Sequence, residues 1–339
     1  MKFGPVPVEE AAGSISAHSL RLPGLVIRKG ATISAEQAAA LKAAGHATVV
    51  AVRLDPDDIG EDAAALRLAE AVAGENLRVE RPFTGRANLY AARAGVLTVD
   101  VPAVDRINAV DESVTLATLQ AYKPVVEGEM VGTVKIIPYA VPGRVLDAAL
   151  RAASPGAIDV APYRLTKVGA ISTMLPGLKP SVVVKTLGAL RNRLAPAGAT
   201  VVAEASTPHA AEPLAEELRR QIGSDAEMVV VFGASAIADR ADVIPSAIEA
   251  AGGAVEHFGM PVDPGNLLLI GRIGEKPVIG APGCARSPKE NGFDWVLQRL
   301  LAGIPVTRAD ITKLGVGGLL MEIVSRGQPR EGGEREEEA

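Results

Sequence analysis

The stretch EMVVVFGASAIADRADVIP, residues 227–245, indicates the architecture of the C-terminal half of the chain. A continuous apolar run ends at Gly233-Ala234-Ser235-Ala236, and Asp239 and Asp242 precede the next helix-forming segment. Such a run, bounded by small residues, is typical of a strand buried on both faces. Because ligands of open α/β sheets bind at the carboxyl ends of strands, the stretch predicts both a parallel sheet and the edge that carries its site.

Strand-like and helix-like runs alternate on both sides of this stretch. The strand-like runs are KVGAIST, ATVVAEA, NLLLIGRI and KPVIGAPG, and the helix-like runs include SVVVKTLGALRNRLA, HAAEPLAEELRRQI and NGFDWVLQRLLAG. Ser181 is predicted to cap the first of these helices. Strands separated by helices of about 10–15 residues indicate right-handed crossovers. We therefore predict an α/β fold whose three-layer α/β/α domain covers residues 144–325, with a mostly parallel sheet.

The residues before this domain follow other patterns. Ser34 and Gln37 have the spacing of a capping box, and Asp57, Asp58 and the acids after them fit the first turn of a second helix. The predicted divisions outside the α/β/α domain are a small α/β module at 1–80, a mostly β module at 81–143 and a disordered acidic tail at 326–339.

Composition limits the possible functions. Of 339 residues, 48% are hydrophobic, 22% are charged and 3% are aromatic, and the net charge is −5. Few aromatics and a negative charge argue against nucleic-acid binding. The single cysteine excludes an intramolecular disulfide and a cysteine-cluster metal site. No signal peptide or apolar run of about 18 residues is visible, so no membrane contact is expected and a cytoplasmic location follows by elimination.

The first candidate strand end is KVGAISTMLPGLKPS, residues 167–181. Ser172 and Thr173 follow a buried strand, and Lys179 and Ser181 stand at the start of the next helix. Free backbone N–H groups at a helix N-terminus suit a phosphate. The alternative is a capped turn with solvated lysines.

The second candidate strand end is the Gly233-Ala234-Ser235-Ala236 loop, whose small residues let a ligand approach the backbone closely. Asp239 and Asp242 follow it as catalytic candidates. Asp242 could hold Mg²⁺ against a pyrophosphate or act as an acid or base. The alternative is that Asp242 only caps the helix.

The third candidate strand end is the loop within KPVIGAPGCARSPKENGF, residues 276–293. Arg286 is the best candidate for a bidentate grip on a phosphate or a ring carbonyl. Cys284 fits a small buried filler better than a nucleophile. The remaining ligand-binding candidates in this loop and in a nearby turn are Pro282, Gly283, Ser287, Pro264, Gly265 and Asn266. His209 and His257 are predicted to lie on surfaces or at helix ends, without a role.

In this order, the segments after about residue 145 resemble the molybdopterin-binding domain of molybdenum-cofactor biosynthesis proteins. That family includes molybdopterin adenylyltransferases, molybdopterin molybdotransferases and gephyrin. Its first strand ends in Ser-Thr-Gly-Asp-Glu, of which Ser172-Thr173 keep the first two residues. Its glycine-rich loop resembles 233–236 with the acids that follow, its Pro-Gly-Lys-Pro turn resembles 264–267, and its Leu-Pro-Gly-Asn-Pro loop resembles 281–285.

The resemblance implies molybdopterin or the molybdenum cofactor as the ligand, with Mg²⁺ and ATP as further candidates. It implies a transferase reaction of the adenylyl-transfer or molybdenum-insertion type. It also implies a homo-oligomer, either a dimer or a trimer, and a molybdoenzyme or a nucleotidyltransferase as protein partner.

The departures from the family pattern indicate a divergent, molybdotransferase-like subgroup. Met174, Leu175 and Pro176 stand where the family has Gly-Asp-Glu, which removes carboxylates associated with catalysis. Three alternatives therefore stay open: a non-catalytic carrier of the cofactor, a nucleotide pyrophosphatase on the same fold, and an interaction module without a ligand. Every hypothesis in which the chain binds a ligand requires that the segments ending at Ser172, Gly233 and Gly283 converge at one edge of the sheet.

Overall fold

The computed structural model describes residues 1–320, so the predicted tail at 326–339 lies outside the described residues. The chain divides into two units, Met1–Pro162 and Tyr163–Ala339. No helix within residues 1–320 is long and apolar enough to cross a membrane.

The first unit is mixed α/β. Its strands are β1 (Lys2–Pro7), β2 (Ile15–Ser16), β3 (Leu20–Leu22), β4 (Leu25–Ile27), β5 (Thr48–Arg53), β6 (Asp58–Gly60), β7 (Leu77–Val79), β8 (Arg86–Ala91), β9 (Gly95–Val99), β10 (Val114–Thr118), β11 (Pro124–Val125), β12 (Met130–Ile136), β13 (Ala140–Pro142) and β14 (Ile158–Pro162). Its helices are α1 (Ala35–Ala43), α2 (Glu61–Val72), α3 (Val101–Asn108) and α4 (Gly143–Ala152).

Two hydrophobic cores organise this unit. The smaller core lies within residues 6–51, where α1 accompanies the sheet of order β1-β5-β2. The larger core runs from Ala64 to Val160. Leu68 of α2 and Leu89 of β8 are fully buried together in the larger core, so the division predicted at residue 80 falls inside it.

The capping box predicted for α1 is confirmed. The Gln37 N–H donates to Ser34 Oγ over 3.1 Å, and the Ser34 N–H donates to Gln37 Oε1 over 2.9 Å. The prediction for the second helix was wrong at its start, because α2 begins at Glu61. Asp58 instead belongs to β6, pairs with β13, and accepts the Asp55 N–H through its carboxylate over 2.7 Å.

The second unit contains the predicted strands and helices, and also a strand at 254–258 and a helix at 308–312 that were not predicted. The strands are β15 (Lys167–Met174), β16 (Thr200–Pro208), β17 (Met228–Phe232), β18 (Ala254–Phe258), β19 (Leu269–Ile273) and β20 (Lys276–Ala281). The helices are α5 (Pro180–Leu194), α6 (Ala211–Ile222), α7 (Val243–Ala250), α8 (Gly292–Leu301) and α9 (Arg308–Thr312).

These strands form one six-stranded sheet of order β16-β15-β17-β20-β19-β18. Neighbours among β16, β15, β17 and β20 are parallel, whereas β19 runs antiparallel to β20 and β18. Apolar residues of α5 and α8 pack on one face, and those of α6 and α7 pack on the other. Strands buried on both faces explain why β17 is apolar throughout. The predicted fold class is confirmed.

The α/β/α unit begins at Tyr163, later than the residue 144 that the sequence indicated. Helix α4 accounts for the difference. Its Val145, Leu146 and Ala149 are buried in the larger core of the first unit, so this helix completes that unit and does not open the next one.

Candidate functional site

The register of the parallel strands brings the predicted strand ends to one edge of the sheet. Ser172 of β15 lies opposite Phe232 of β17, and Phe232 lies opposite Ala281 of β20. The residues that follow these positions, including Gly233 and Gly283, therefore leave the sheet at the same edge. The predicted convergence of the segments ending at Ser172, Gly233 and Gly283 at one edge of the sheet is confirmed.

We define the rim as the segments at this edge: 172–181, 207–210, 233–242, 263–268 and 281–291. The fourth segment belongs here because β19 is antiparallel and begins at this edge, with Leu269 opposite Gly280. Ser235, Ala236 and Gly283 are exposed, so their backbone is accessible from solvent.

Two hydrogen bonds hold the loop after β17 to its neighbours at the rim. Arg286 Nη2 donates to the Gly233 carbonyl oxygen over 2.5 Å, which links the loop after β20 to the loop after β17. The Ala234 N–H donates to Thr173 Oγ1 over 2.7 Å, which links the loop after β17 to β15. The small-residue loop is therefore held from both sides.

Several buried polar atoms at the rim have no hydrogen-bond partner in the described part of the chain: Ser172 Oγ, Thr207 Oγ1 and Arg286 Nε. Burial also lowers the pKa of the Arg286 guanidinium. Buried polar groups in native proteins are nearly always paired, and unpaired ones call for an explanation such as a ligand or an ion. A guanidinium N–H and two hydroxyls are groups that suit an anion.

Helix α5 starts at the rim without a side-chain cap. Lys179 is its N-cap residue and Pro180 occupies its first turn, so the prediction that Ser181 caps this helix was wrong. Lys179 and Ser181 are both exposed. The first turn of a helix has N–H groups without intrahelical partners, and these favour negative charge. Both residues thus stand where an anion would lie.

The two catalytic candidates are engaged with backbone. Asp242 is the N-cap of α7, where Oδ1 accepts the Val243 N–H over 2.7 Å and Oδ2 accepts the Ala238 N–H over 3.0 Å. Asp239 Oδ1 accepts the Ala241 N–H over 2.7 Å. Within residues 1–320, no group of three metal-ligating side chains is assembled. The contacts of Asp242 are those of a helix cap, as the alternative interpretation had it. The role of Asp242 in binding Mg²⁺ stays a prediction.

The remaining candidates frame the loop after β20. Burial raises the pKa of the Cys284 thiol, which favours the unreactive protonated form and agrees with the filler interpretation. The Pro264 carbonyl accepts the Gly292 N–H at the start of α8 over 2.9 Å. A Cβ at Gly265, where φ is +139°, would lie 2.9 Å from the Gly292 backbone, so the turn at 264–266 packs directly on the helix start.

Arg193 of α5 holds the same loop, and sequence reasoning missed it. Its side chain is buried and pairs with Asp294 of α8 over 2.5 Å. It also donates to the carbonyl oxygens of Ala285, Ser287 and Lys289 over 2.9, 2.6 and 3.2 Å. An arginine in an amphipathic helix is usually solvated, so nothing in the local pattern signals this role.

His209 was also missed as a member of the rim. Its Nδ1 lies 2.8 Å from Thr173 Oγ1, and its backbone N–H donates to the Met174 carbonyl over 2.9 Å. The signal was available, because the reasoning applied to the other strand ends also covers the end of β16.

Comparison with known families gives a match over the N-terminal part of the chain. Residues 5–53 match a family model described as a domain of unknown function, DUF8806, a stretch that coincides with the smaller core of the first unit. No curated protein matches the chain.

Two solved structures are similar to the chain. One is a molybdopterin biosynthesis MoeA protein from Pyrococcus horikosii, with 18% identity, 89% of this chain and 75% of that chain covered, and a TM-score of 0.31. The other is the molybdopterin biosynthesis enzyme MoaB from Thermus thermophilus, with 17% identity, 42% of this chain and 99% of that chain covered, and a TM-score of 0.29.

Proposed function

We propose that this chain binds molybdopterin, or a close phosphorylated relative, at the rim and acts in the biosynthesis or maturation of the molybdenum cofactor. One observation carries the proposal. Three strand ends and one turn that resemble molybdopterin-binding motifs meet at one edge, where buried donors, among them Arg286 Nε and Ser172 Oγ, have no partner in the described residues. The resemblance of the motifs is the reason to propose a pterin as the ligand. The donors without partners are the reason to propose that this ligand carries an anionic group.

The roles of the rim residues follow from their positions. Arg286 and the uncapped start of α5 at Lys179 and Ser181 are suited to hold a phosphate. Ser235 and Ala236 are exposed and neither side chain is bulky, so a flat ring can lie against this part of the loop. Arg193 is a positioning residue, because it acts only through the loop that carries Arg286.

One further observation favours a carrier role over a catalytic role. Asp239 and Asp242 accept backbone N–H bonds, and β15 ends in Met174 without a following carboxylate. We therefore favour a carrier that holds the finished cofactor over a transferase that uses Mg²⁺ and ATP. Turnover assays for adenylyl transfer and for molybdate insertion distinguish the two, because a carrier binds without turnover.

The first test is the identity of the bound ligand. Protein purified under mild conditions should release a phosphorylated pterin that mass spectrometry identifies. Recovery of a dinucleotide without a pterin would replace the proposal with the pyrophosphatase alternative.

The second test is the affinity of purified variants for molybdopterin, measured by calorimetry. Arg286→Ala removes a charge-assisted donor and should weaken binding about 10- to 100-fold, corresponding to about 1.5–3 kcal/mol. Lys289→Ala, an exposed lysine in the same loop, is the matched control and should bind normally. Unchanged affinity in Arg286→Ala would remove this arginine from the site.

A further inference from the structure

The end of β16 brings a histidine into the rim. Thr207 lies opposite Thr173 of β15 in parallel register, and His209 follows two residues later. The His209 N–H bond to the Met174 carbonyl fixes the backbone of His209 against β15. His209 as a residue is half-buried.

Thr173 Oγ1 orients the His209 ring through its contact with Nδ1. This oxygen accepts the Ala234 N–H over 2.7 Å and lies 2.8 Å from His209 Nδ1. The Thr173 hydroxyl can donate its own proton to Nδ1 while it accepts the Ala234 N–H, and this is the arrangement in the neutral tautomer whose Nδ1 carries no proton. A neutral imidazole that accepts at Nδ1 carries its own proton at Nε2. In this tautomer the ring offers Nε2–H as a donor, and Thr173 holds the ring in place.

The surroundings of this donor favour an anion. Thr207 Oγ1, on the same face of the sheet, is buried and has no partner among the described residues. The carboxylates of Asp239 and Asp242 are engaged by backbone N–H groups. The small-residue loop begins at Ala234, whose N–H shares Thr173 Oγ1 with the histidine.

We propose that His209, oriented by Thr173, contacts the ligand directly and donates from Nε2 to a phosphate or pyrophosphate oxygen at the rim. This inference rests on the proposed function, since it assigns a further contact to the same ligand. It adds a binding residue from β16, the strand whose end carried no sequence prediction.

The experiment uses two substitutions that separate a ligand contact from a structural role. In His209→Gln the side-chain amide reaches the position of Nε2 but lacks a group at Nδ1. In His209→Asn the amide stands near Nδ1 and can keep the bond to Thr173, but nothing reaches the position of Nε2. Calorimetric titration of the full chain with inorganic pyrophosphate measures both variants against the unaltered protein.

A ligand contact predicts that His209→Asn binds pyrophosphate at least about tenfold more weakly, whereas His209→Gln stays within about threefold. A structural role predicts the reverse order, because only the asparagine keeps the link to Thr173, and that order would overturn the inference. Equal and normal affinity in both variants would overturn it as well.

A spectroscopic readout gives a check that does not depend on the affinity of a variant. In ¹⁵N NMR of the unaltered protein, the His209 resonances, assigned by their loss in His209→Gln, should show the Nε2–H tautomer. Pyrophosphate should shift Nε2 more than Nδ1. Binding by the unaltered protein without a change at Nε2 would overturn the inference and leave the proposed function intact, whereas absence of any pyrophosphate binding would overturn the anion site itself.

Discussion

The two edges of the six-stranded sheet, at the amino ends and at the carboxyl ends of its parallel strands, differ in how their polar groups are hydrogen-bonded. The edge at the amino ends of the parallel strands has a cavity of about 420 Å³ lined mostly by apolar residues such as Leu165, Ile270 and Leu300. Its polar lining includes Glu227, whose carboxylate accepts the N–H groups of Thr166 and Lys167 over 2.6 and 2.9 Å. The rim instead keeps buried donors that lack partners among the described residues.

This difference indicates that unpaired donors are a better guide to a candidate anion site than the volume of a cavity. The parallel strands run into helix N-termini at the rim, where N–H groups without partners accumulate. Near the opposite edge the Glu227 carboxylate accepts two backbone N–H groups. The buried Gln221 Oε1 beside Gly169 has no partner in the described residues, but it is an acceptor and does not suit an anion. A phosphate therefore has partners at the rim, whereas the cavity offers mainly apolar contact.

The largest expected effect is on the framework of the rim. Arg193→Ala leaves Asp294 without its buried partner and should lower the free energy of unfolding by about 3–5 kcal/mol, measured by urea denaturation. Arg191→Ala, two residues earlier, removes an exposed ion pair with Glu204 and should change the free energy of unfolding by less than about 1 kcal/mol. Similar losses in both variants would show that the loop at 283–290 does not depend on Arg193.

The second effect concerns the small-residue loop. In Gly233→Ala the new Cβ would lie 2.5 Å from the Ser235 carbonyl oxygen and 3.1 Å from Ile244, so the loop must shift, at a cost of about 1–3 kcal/mol. Gly188→Ala in α5 meets nothing within 4 Å and should be neutral or stabilising by up to about 1 kcal/mol. Thermal unfolding of the two variants tests the contrast, and a stable Gly233→Ala would contradict it.

The third effect is a pH dependence away from the rim. Burial raises the pKa of Tyr163 to about 12, and its hydroxyl donates to Gln298 Oε1 over 2.5 Å. Because the folded state holds this proton more tightly than the unfolded state, the contribution is complete below about pH 10 and is lost as the pH rises toward about 12. Partial exposure limits it to about 1 kcal/mol.

Tyr163→Phe provides the control for this pH dependence. The difference in unfolding midpoint between the unaltered protein and the variant should be constant below about pH 10 and shrink above it. A difference that does not change with pH up to about 12 would show that Tyr163 does not titrate in this range.

The smallest expected effect tests the comparison of the two edges most directly. Ile304 lines the cavity at the amino edge, and Ile304→Glu should leave the affinity for inorganic pyrophosphate within about twofold. Arg286→Ala, measured in the same titration, should weaken it about tenfold or more. If Ile304→Glu also abolished binding, the anion would have to be reassigned to the cavity.

Local sequence patterns predicted most of the second unit. The β17 strand, the helices around it and the shared edge of Ser172, Gly233 and Gly283 follow from periodicity and from the rules of parallel sheets. The exact start of a helix was less predictable. Ser181 suits an N-cap by residue type, yet Pro180 fits the first turn and moves the cap to Lys179.

The first unit was predicted less well, because its helices depend on partners that are distant in sequence. Helix α3 lies in a segment read as mostly β, and it begins where the Asp100 side chain accepts the Ala103 N–H. Helix α2 looked like part of the N-terminal module, but its buried face packs with strands that come later in the chain.

By itself, the sequence determined the alternation of strands and helices and the edge at which their loops converge, because hydrophobic periodicity and crossover handedness act locally. Only the tertiary structure decided which polar atoms at that edge are satisfied. Arg193 and Asp294 are 101 residues apart, and so are not recognisable as a pair before folding. Thr173 and His209 meet only because their strands are neighbours in the sheet, so hydrogen-bond partnership is a property of the packed sheet and not of the chain.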